Sequence, residues 1–506
     1  MIRLTGMNSG LDTDAMVKEL VGAYEKQGQK YTKAKTKTEW KQEAWKTLDT
    51  KVKNFYNKYA SNMRFSDAYR KKATTVSDSS KASIIAADSA VKGSQTLKIN
   101  KLAKAGYMTG AELSGVSGST KLSDLVGGGI SGDTTITIQR GAKDAEGNYD
   151  PANAKTITIN EDTTVDQFVK QLNSISGMTA SFDAANGRFF ISSDESGAVN
   201  DFSFDGNSKD AASVLSSLGL TGDGAVKIDG TDAEIELNGA KFHSSSNSFS
   251  INGLTITAKG VTKEDEELTI NTDTDVDAIY DNIKGFLKEY NSLINELDKL
   301  YNAPSAKKFE PLTEEEKDAM TDDEIEKWET KIKDALLRQD SDVNNIASAM
   351  RNAMLSTFDI DGKTYALSSF GIETLGYFDA PENQKNAFHI AGDKDDDYVS
   401  SQEDKLKSMI AEDPSTVEKF FSKLSGNLYD ALNKIQSESN NYTTYGSFFN
   451  DKKIANDLKD QEDQVAKWEK YVADIEAKYY KQFTAMETAM GQMQSQQNSL
   501  SQLFSS

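Results

Sequence analysis

Four aspartates, Asp393, Asp395, Asp397 and Asp404, stand at positions 1, 3, 5 and 12 of a loop series of the kind that surrounds calcium with oxygen ligands. Two requirements of that loop are unmet. Tyr398 occupies the place of the glycine that makes the sharp turn, and the twelfth position holds Asp404 instead of a bidentate glutamate. The expectation is a solvated acidic loop with no metal assigned, calcium being the alternative. His243-Ser244-Ser245-Ser246 pairs a base with hydroxyls, but a serine nucleophile needs a fixed base and an orienting acid, and a turn histidine is the plainer expectation. Gly127-Gly128-Gly129-Ile130 lacks the Gly-Lys-Ser/Thr that completes a phosphate cradle. No pair of carboxylates is singled out for glycoside cleavage, because their separation belongs to the fold. No catalytic residue, cofactor or metal is therefore expected.

Composition narrows the classes further. The 506 residues carry a net charge of −21, which argues against general nucleic-acid binding, since that needs a basic face. Cysteine is absent, so disulfides, thiolate nucleophiles and Cys-ligated zinc are excluded. His243 and His389 are the two histidines, too few for a His-based metal cage. No apolar run reaches the ~18 residues of a spanning helix, and no membrane partner is expected. Met1-Ile2-Arg3-Leu4-Thr5-Gly6 has no apolar core of a cleaved signal, so the expectation is a cytosolic chain or one exported by another route.

The elements that would position any site fall into three zones. Glycine concentrates between Gly93 and Gly260, while the five prolines, Pro151, Pro304, Pro311, Pro381 and Pro414, leave both ends free. Both ends therefore suit helices and the centre suits strands. The first helix starts at Ser9-Gly10-Leu11-Asp12, with Val17, Leu20, Val21 and Tyr24 at helical spacing. After a weaker polar stretch, Trp45, Leu48, Val52, Phe55 and Tyr59 form a heptad seam. Residues 1–72 carry 16 Lys and Arg against 8 Asp and Glu, a basic arm on an acidic body that points to pairing between the ends and to acidic partners, a solvated helix face being the alternative.

Apolar pairs two residues apart mark strands at Leu97/Ile99, Ile136/Ile138, Ile157/Ile159, Ile235/Leu237, Leu254/Ile256 and Leu268/Ile270. Phe182 to Phe189 reads as a hairpin turning at Asn186-Gly187, and Thr164 caps a short helix through Leu172. Helix returns near Thr274, where Ile283, Leu287, Tyr290, Ile294, Leu297 and Tyr301 alternate steps of four and three. Thr313 with Glu316 and Thr321 with Glu324 have capping-box spacing, and Asp413-Pro414 opens another helix. The longest stripe runs from Ile454 through Leu458, Val465, Trp468, Val472, Ile475 and Tyr479, with a stutter near Tyr479, to Met486, Met490, Met493, Leu500 and Phe504. It must be covered by something, and the N-terminal helix is the expected partner. The methionine row suits either a core or an adaptable surface for exchanging partners; its terminal position favours the second.

Several of these segments resemble one family. Ser9-Gly10-Leu11-Asp12-Thr13-Asp14-Ala15-Met16-Val17 with Leu20-Val21 resembles the opening of the bacterial flagellar filament-capping proteins (hook-associated protein 2). Gly93-Ser94-Gln95-Thr96-Leu97 with Leu102-Ala103 is similar to the family's Gly-Ser-x-Thr strand. Asp162 to Asn173 with Thr179-Ala180-Ser181 looks like a small motif shared by flagellins and hook-associated proteins. Ile251-Asn252-Gly253-Leu254-Thr255-Ile256, Tyr290-Asn291-Ser292-Leu293-Ile294, Leu336 to Ser341 and Phe370-Gly371-Ile372-Glu373-Thr374 match further landmarks in family order. The helical end with Met486 and Gln494-Ser495-Gln496 completes the likeness, which runs nearly end to end. One departure is Gln27-Gly28, where many relatives carry a proline.

The resemblance implies a structural assembly protein and no enzyme: a homo-oligomeric ring of about five chains at the distal filament tip. It implies flagellin and hook–filament junction proteins as partners, export through the flagellar type III channel, and a cytoplasmic chaperone on the C-terminal helix. The expected fold is α+β, with a helical terminal coiled coil and helical bundle as legs and two nested β-rich head domains. The expected bounds are 1–44 with 455–506 for the coiled coil and 45–75 with 273–454 for the bundle. The first head domain is expected over 76–112 with 229–272, and the second over 113–228. The expected partner-binding residues are Leu11, Val17, Leu20, Val21, Tyr24, Ile475, Tyr479, Met486, Met490, Met493, Leu500 and Phe504. Two other readings stand beside this one: a tip adhesin whose head domains bind mucin or glycans, and a flagellum-associated glycosidase.

Overall fold

The computed structural model describes residues 10–206, 208–376, 378–438 and 440–504, with side chains as far as Ser501. The chain is α+β and divides into two compact units, Met1–Tyr69 with Val276–Ser506, and Arg70–Asp275.

In the helical unit, α1 spans Thr13–Asn54, its first turn capped by Asp12, whose Oδ1 accepts the Ala15 N–H at 2.9 Å. The sequence pattern suggests two stripes separated by a polar stretch, yet the helix is continuous. No glycine or proline stands between Gly28 and Asn54, and the intervening Lys, Gln, Glu and Ala are good helix formers. A π-helical turn, Phe55–Ala60, follows. It carries Phe55 to within 6.0 Å of the Phe286 ring and stacks Tyr56 on Tyr429 at 4.5 Å.

Besides short turns, the later helices of this unit among the described residues are α2 (Val276–Tyr301), α3 (Glu314–Asp318), α4 (Asp322–Asp334), α5 (Ser341–Met354), α6 (Lys405–Glu412), α7 (Pro414–Ser437) and α8 (Asp451–Phe504). Both threonine capping boxes form, at Thr313/Glu316 and Thr321/Glu324, and Asp413 caps α7 with Pro414 in the first turn. One aromatic-rich core joins Trp45, Phe55, Tyr290, Phe370, Phe420 and Phe421.

The β unit holds two cores. The first lies between the sheets ordered β1-β15-β3-β11-β12 and β13-β14-β2, where β1 is Lys72–Val76, β2 Ala82–Ala86 and β3 Gly93–Lys101. The later strands of this core are β11 (Ala233–Leu237), β12 (Ala240–Ser244), β13 (Ser248–Ile251), β14 (Leu254–Ala258) and β15 (Leu268–Thr274). The second core takes the chain between them. Its sheets are β10-β4-β8-β7 and β6-β5-β9, with the short helices Val165–Asn173 and Lys209–Ser217 packed in. Here β4 is Ala105–Thr109, β5 Thr134–Arg140, β6 Lys155–Ile159, β7 Met178–Asp183, β8 Arg188–Ser196, β9 Phe202–Asp205 and β10 Val226–Ile228.

Every residue of the six apolar pairs lies on a strand and is buried. The hairpin forms in register Asp183↔Arg188, which leaves a four-residue loop closed by Asp183 Oδ1 accepting the Ala185 N–H. Gly187 takes φ +62° there, and a Cβ on it would lie 2.4 Å from the Leu113 carbonyl oxygen, so the position excludes any side chain.

Where the chain passes from the first core to the second and back, Lys104 and Thr231 exchange backbone hydrogen bonds at 2.9 and 3.0 Å. The buried Asp201 carboxylate accepts Lys227 Nζ at 2.6 Å, the Tyr149 hydroxyl at 2.8 Å and the Gly230 N–H at 3.0 Å. A buried carboxylate is stable only when so satisfied.

Candidate functional site

Helices α1 and α8 pair antiparallel into a two-helix rod, with Tyr24 meeting Tyr471 and Tyr31 meeting Trp468. The seam has one deep feature. Trp468 lies against Gly28 so closely that a Cβ on the glycine would fall 2.2 Å from the indole Cδ1. The indole N–H donates to the Tyr24 carbonyl at 3.0 Å, one helical turn before the glycine. Glycine inside a helix costs about 1 kcal/mol relative to alanine, and here the missing side chain makes the notch that receives the ring. Tyr24, Gly28 and Tyr31 share one helix face, so the aromatic side chains fix the register of the pair. At Tyr479, hydrogen bonding to the Tyr24 side chain holds the phenol above its ordinary pKa.

The expected partner-binding residues separate into two groups. Val17 and Val21 are buried, and Tyr24, Ile475, Tyr479, Met486 and Met490 are half-buried. Leu11 (46% exposed), Leu20 (41%), Met493 (63%) and Leu500 (53%) present apolar surface to solvent. The Phe504 side chain lies outside the described residues. The sequence singled out Trp468 as one stripe member among many; its receiving notch at Gly28 was missed, as were Tyr31 and Tyr471. A glycine in mid-helix, one turn from tyrosines spaced by seven, was the available signal.

The residues that suggested chemistry are occupied otherwise. In the acidic loop, Lys284 Nζ bonds Asp393 Oδ1 and Asp395 Oδ2, both at 2.6 Å, and this ammonium holds the Asp395 carboxyl below its ordinary range. Asp404 caps α6 through the Lys407 N–H, and Asp396 takes His389 Nδ1 at 2.6 Å. Among the described residues no group of three His, Asp or Glu side chains is placed to hold a metal ion. His243 and Ser244 are adjacent on β12 and so face opposite ways. His243 lies 3.9 Å from Glu234, while Ser244 Oγ donates to the Ser248 carbonyl at 3.0 Å. Gly127–Gly129 follow a short helix, Leu122–Leu125, and precede a strand, the reverse of a phosphate cradle's order. Among the described residues no helix is long and apolar enough to cross a membrane.

Comparison with known proteins accounts for nearly the whole chain. Residues 9–106 match the model of the flagellar hook-associated protein 2 N-terminus, and residues 230–495 match that of its C-terminus. A flagellar hook-associated protein 2 of Halalkalibacterium halodurans is 26% identical, covering 99% of this chain and 100% of its own length. An A-type flagellar hook-associated protein 2 of Pseudomonas aeruginosa is 23% identical, covering 99% and 97%. In fold, the D1-D2-D3 domains of the flagellar cap protein FliD from Escherichia coli superpose with a TM-score of 0.53 at 18% identity. They cover 83% of this chain and 99% of that one. A chain matched by both terminal models of one family, built as a helical rod and bundle with a β-rich insertion, belongs to the flagellar hook-associated protein 2 family, a family of structural cap proteins.

Proposed function

We propose that this protein closes the distal end of the bacterial flagellar filament as a ring-shaped homo-oligomer of about five copies. Beneath the ring, exported flagellin folds and inserts into the filament. The β-rich residues 76–112 with 229–272, and the inserted 113–228, form the plate. The rod of 1–44 with 455–506 serves as the leg on the bundle of 45–75 with 273–454. The protein reaches the tip through the flagellar export channel, held beforehand by a chaperone on the C-terminal helix, and meets the hook–filament junction proteins and flagellin.

The observation that carries this reading is the rod's half-covered apolar stripe. Leu11, Leu20, Met493 and Leu500 are left exposed beside a seam already registered by Trp468. Exposed apolar side chains on a preformed helix pair suit a contact of modest area that forms and breaks without unfolding the body. The leg residues dock flagellin, the neighbouring leg or the chaperone.

The test compares cells lacking the gene with their parent. Short or absent filaments, monomeric flagellin in the medium, and rescue by added purified protein are the expected result. Normal filaments in the deletion strain would remove the proposal. Leu20→Gln together with Met493→Gln should reproduce the defect in a folded protein.

A further inference from the structure

Helix α1 leaves the bundle core at Trp45 and runs on to Thr13 without a break, so its direction is set by whatever grips the polar stretch between. One face of that stretch belongs to the rod: Tyr24, Gly28 and Tyr31 meet α8. Lys33 and Trp40 stand nine residues beyond Tyr24 and Tyr31, about half a turn round the helix. They face the segment that joins α2 to α5, residues 302–340, which contains α3 and α4. Lys33 Nζ bonds both carboxylate oxygens of Glu316, at 3.0 and 2.8 Å, with its side chain only 16% exposed. Lys41 Nζ pairs with Asp340 at 2.9 Å, and Lys333 Nζ sits 4.6 Å from the centre of the Trp40 ring.

Residues 26–41 carry six lysines and a single carboxylate, Glu39, whereas the joining segment is rich in Asp and Glu. The segment is itself well built. Two capping boxes start its helices, Ile332 and Leu337 are buried, and Trp328 donates its indole N–H to the Glu310 carbonyl at 2.9 Å. Glu316 has two tasks: it closes the α3 capping box at the Thr313 N–H, 2.8 Å away, and it grips Lys33.

We propose that residues 302–340 are an electrostatic clasp that fixes the direction of α1 as it leaves the bundle, and that ionic strength releases it. The fold gives the opposite face of α1 an aromatic seam that salt leaves intact, and gives this face cation contacts that salt weakens. The rod therefore changes direction as one registered pair, without sliding of one helix along the other. This inference does not depend on what the rod docks against.

The absence of cysteine makes the test clean. Spin labels at Glu19→Cys on the rod and Glu412→Cys on α6, both exposed positions, report the rod-to-bundle distance in the full chain by pulsed dipolar spectroscopy. At ~50 mM salt the distribution should be narrow, and at ~500 mM about twofold broader. Lys33→Gln with Lys41→Gln should be broad at low salt and respond no further. Glu316→Gln keeps a side chain that serves the capping box and removes only the charge, so it separates the clasp from the fold of α3. It should broaden the distribution while helix content by circular dichroism stays constant. Equal widths in parent and variants at low salt, or equal salt broadening in both, would overturn the proposal.

Discussion

Helices α2 and α8 carry the same alternating four-three stripe and bury it to opposite extents. Ten of the 26 residues of α2 are buried, Ile283, Leu287, Tyr290, Ile294 and Leu297 among them. In the 54-residue α8, among the described side chains, only Ile454 and Glu487 are buried, while Val465, Trp468, Val472, Ile475 and Tyr479 are half-covered. The difference lies in the neighbours. The π-helical turn, α5 and α6 enclose α2, whereas α8 is accompanied along the rod by α1. A stripe states how much apolar surface is available for cover; flanking elements decide whether one chain supplies the cover. A fully enclosed helix is committed to its own bundle, and a half-covered one keeps surface for a second protein.

This contrast can be broken most forcefully in the bundle. Phe286→Ala, at a position 1% exposed and 6.0 Å from the Phe55 ring, should cost about 3–5 kcal/mol. Val472→Ala in the rod should cost under about 1 kcal/mol, both read as the shift in a denaturant midpoint. Equal losses would mean that the rod is packed as tightly as the bundle.

Gly28→Ala comes next. The added methyl must displace the indole, so a loss of about 1–3 kcal/mol confined to the rod is expected. Trp468 fluorescence would follow the displacement, and an unchanged spectrum would show that the notch does not set the register. Trp468→Phe keeps an aromatic ring and loses the N–H to the Tyr24 carbonyl, an effect of about 0.5–1.5 kcal/mol on rod melting.

The acid response of the clasp is smaller. Lys33 first, then the Thr313 N–H, holds the Glu316 carboxyl below its ordinary value of 4.5. A depressed carboxyl contributes stability that is present above the unfolded pKa and lost as pH falls through the folded one. Protection of the α3 amides, taken relative to the intrinsic exchange rate at each pH, should therefore fall below about pH 4.5 in the parent, and Glu316→Gln should flatten that dependence. The smallest effect on stability belongs to Leu20→Gln and Met493→Gln, within about 0.5 kcal/mol because both side chains are exposed. Motility on soft agar should nevertheless fall, which separates docking surface from core.

Much of the fold was legible because its signals are local. Thr164, Thr313, Thr321 and Asp413 cap helices where their spacing from the following residues placed them. The six apolar pairs became strands because alternation needs only one buried face. The ionic grip on the polar stretch of α1 was not legible. Lys33 and Lys41 gave no apolar signal, and their acidic partners lie some 300 residues away. Likewise, Asp393 and Asp395 read as part of a solvated acidic loop, and only the fold brings Lys284 to both of them.

By itself the sequence determined the periodicities, the caps, the glycines that turn, the absence of thiol chemistry and the nested order of helix and strand. Each follows from the chemistry of a residue and its near neighbours along the chain. Only the tertiary structure decided which stripe is enclosed and which stays half open, that Gly28 is a seat for Trp468, and that an acidic segment holds a basic helix. Those depend on which surfaces meet across hundreds of residues, and local spacing carries no record of that meeting.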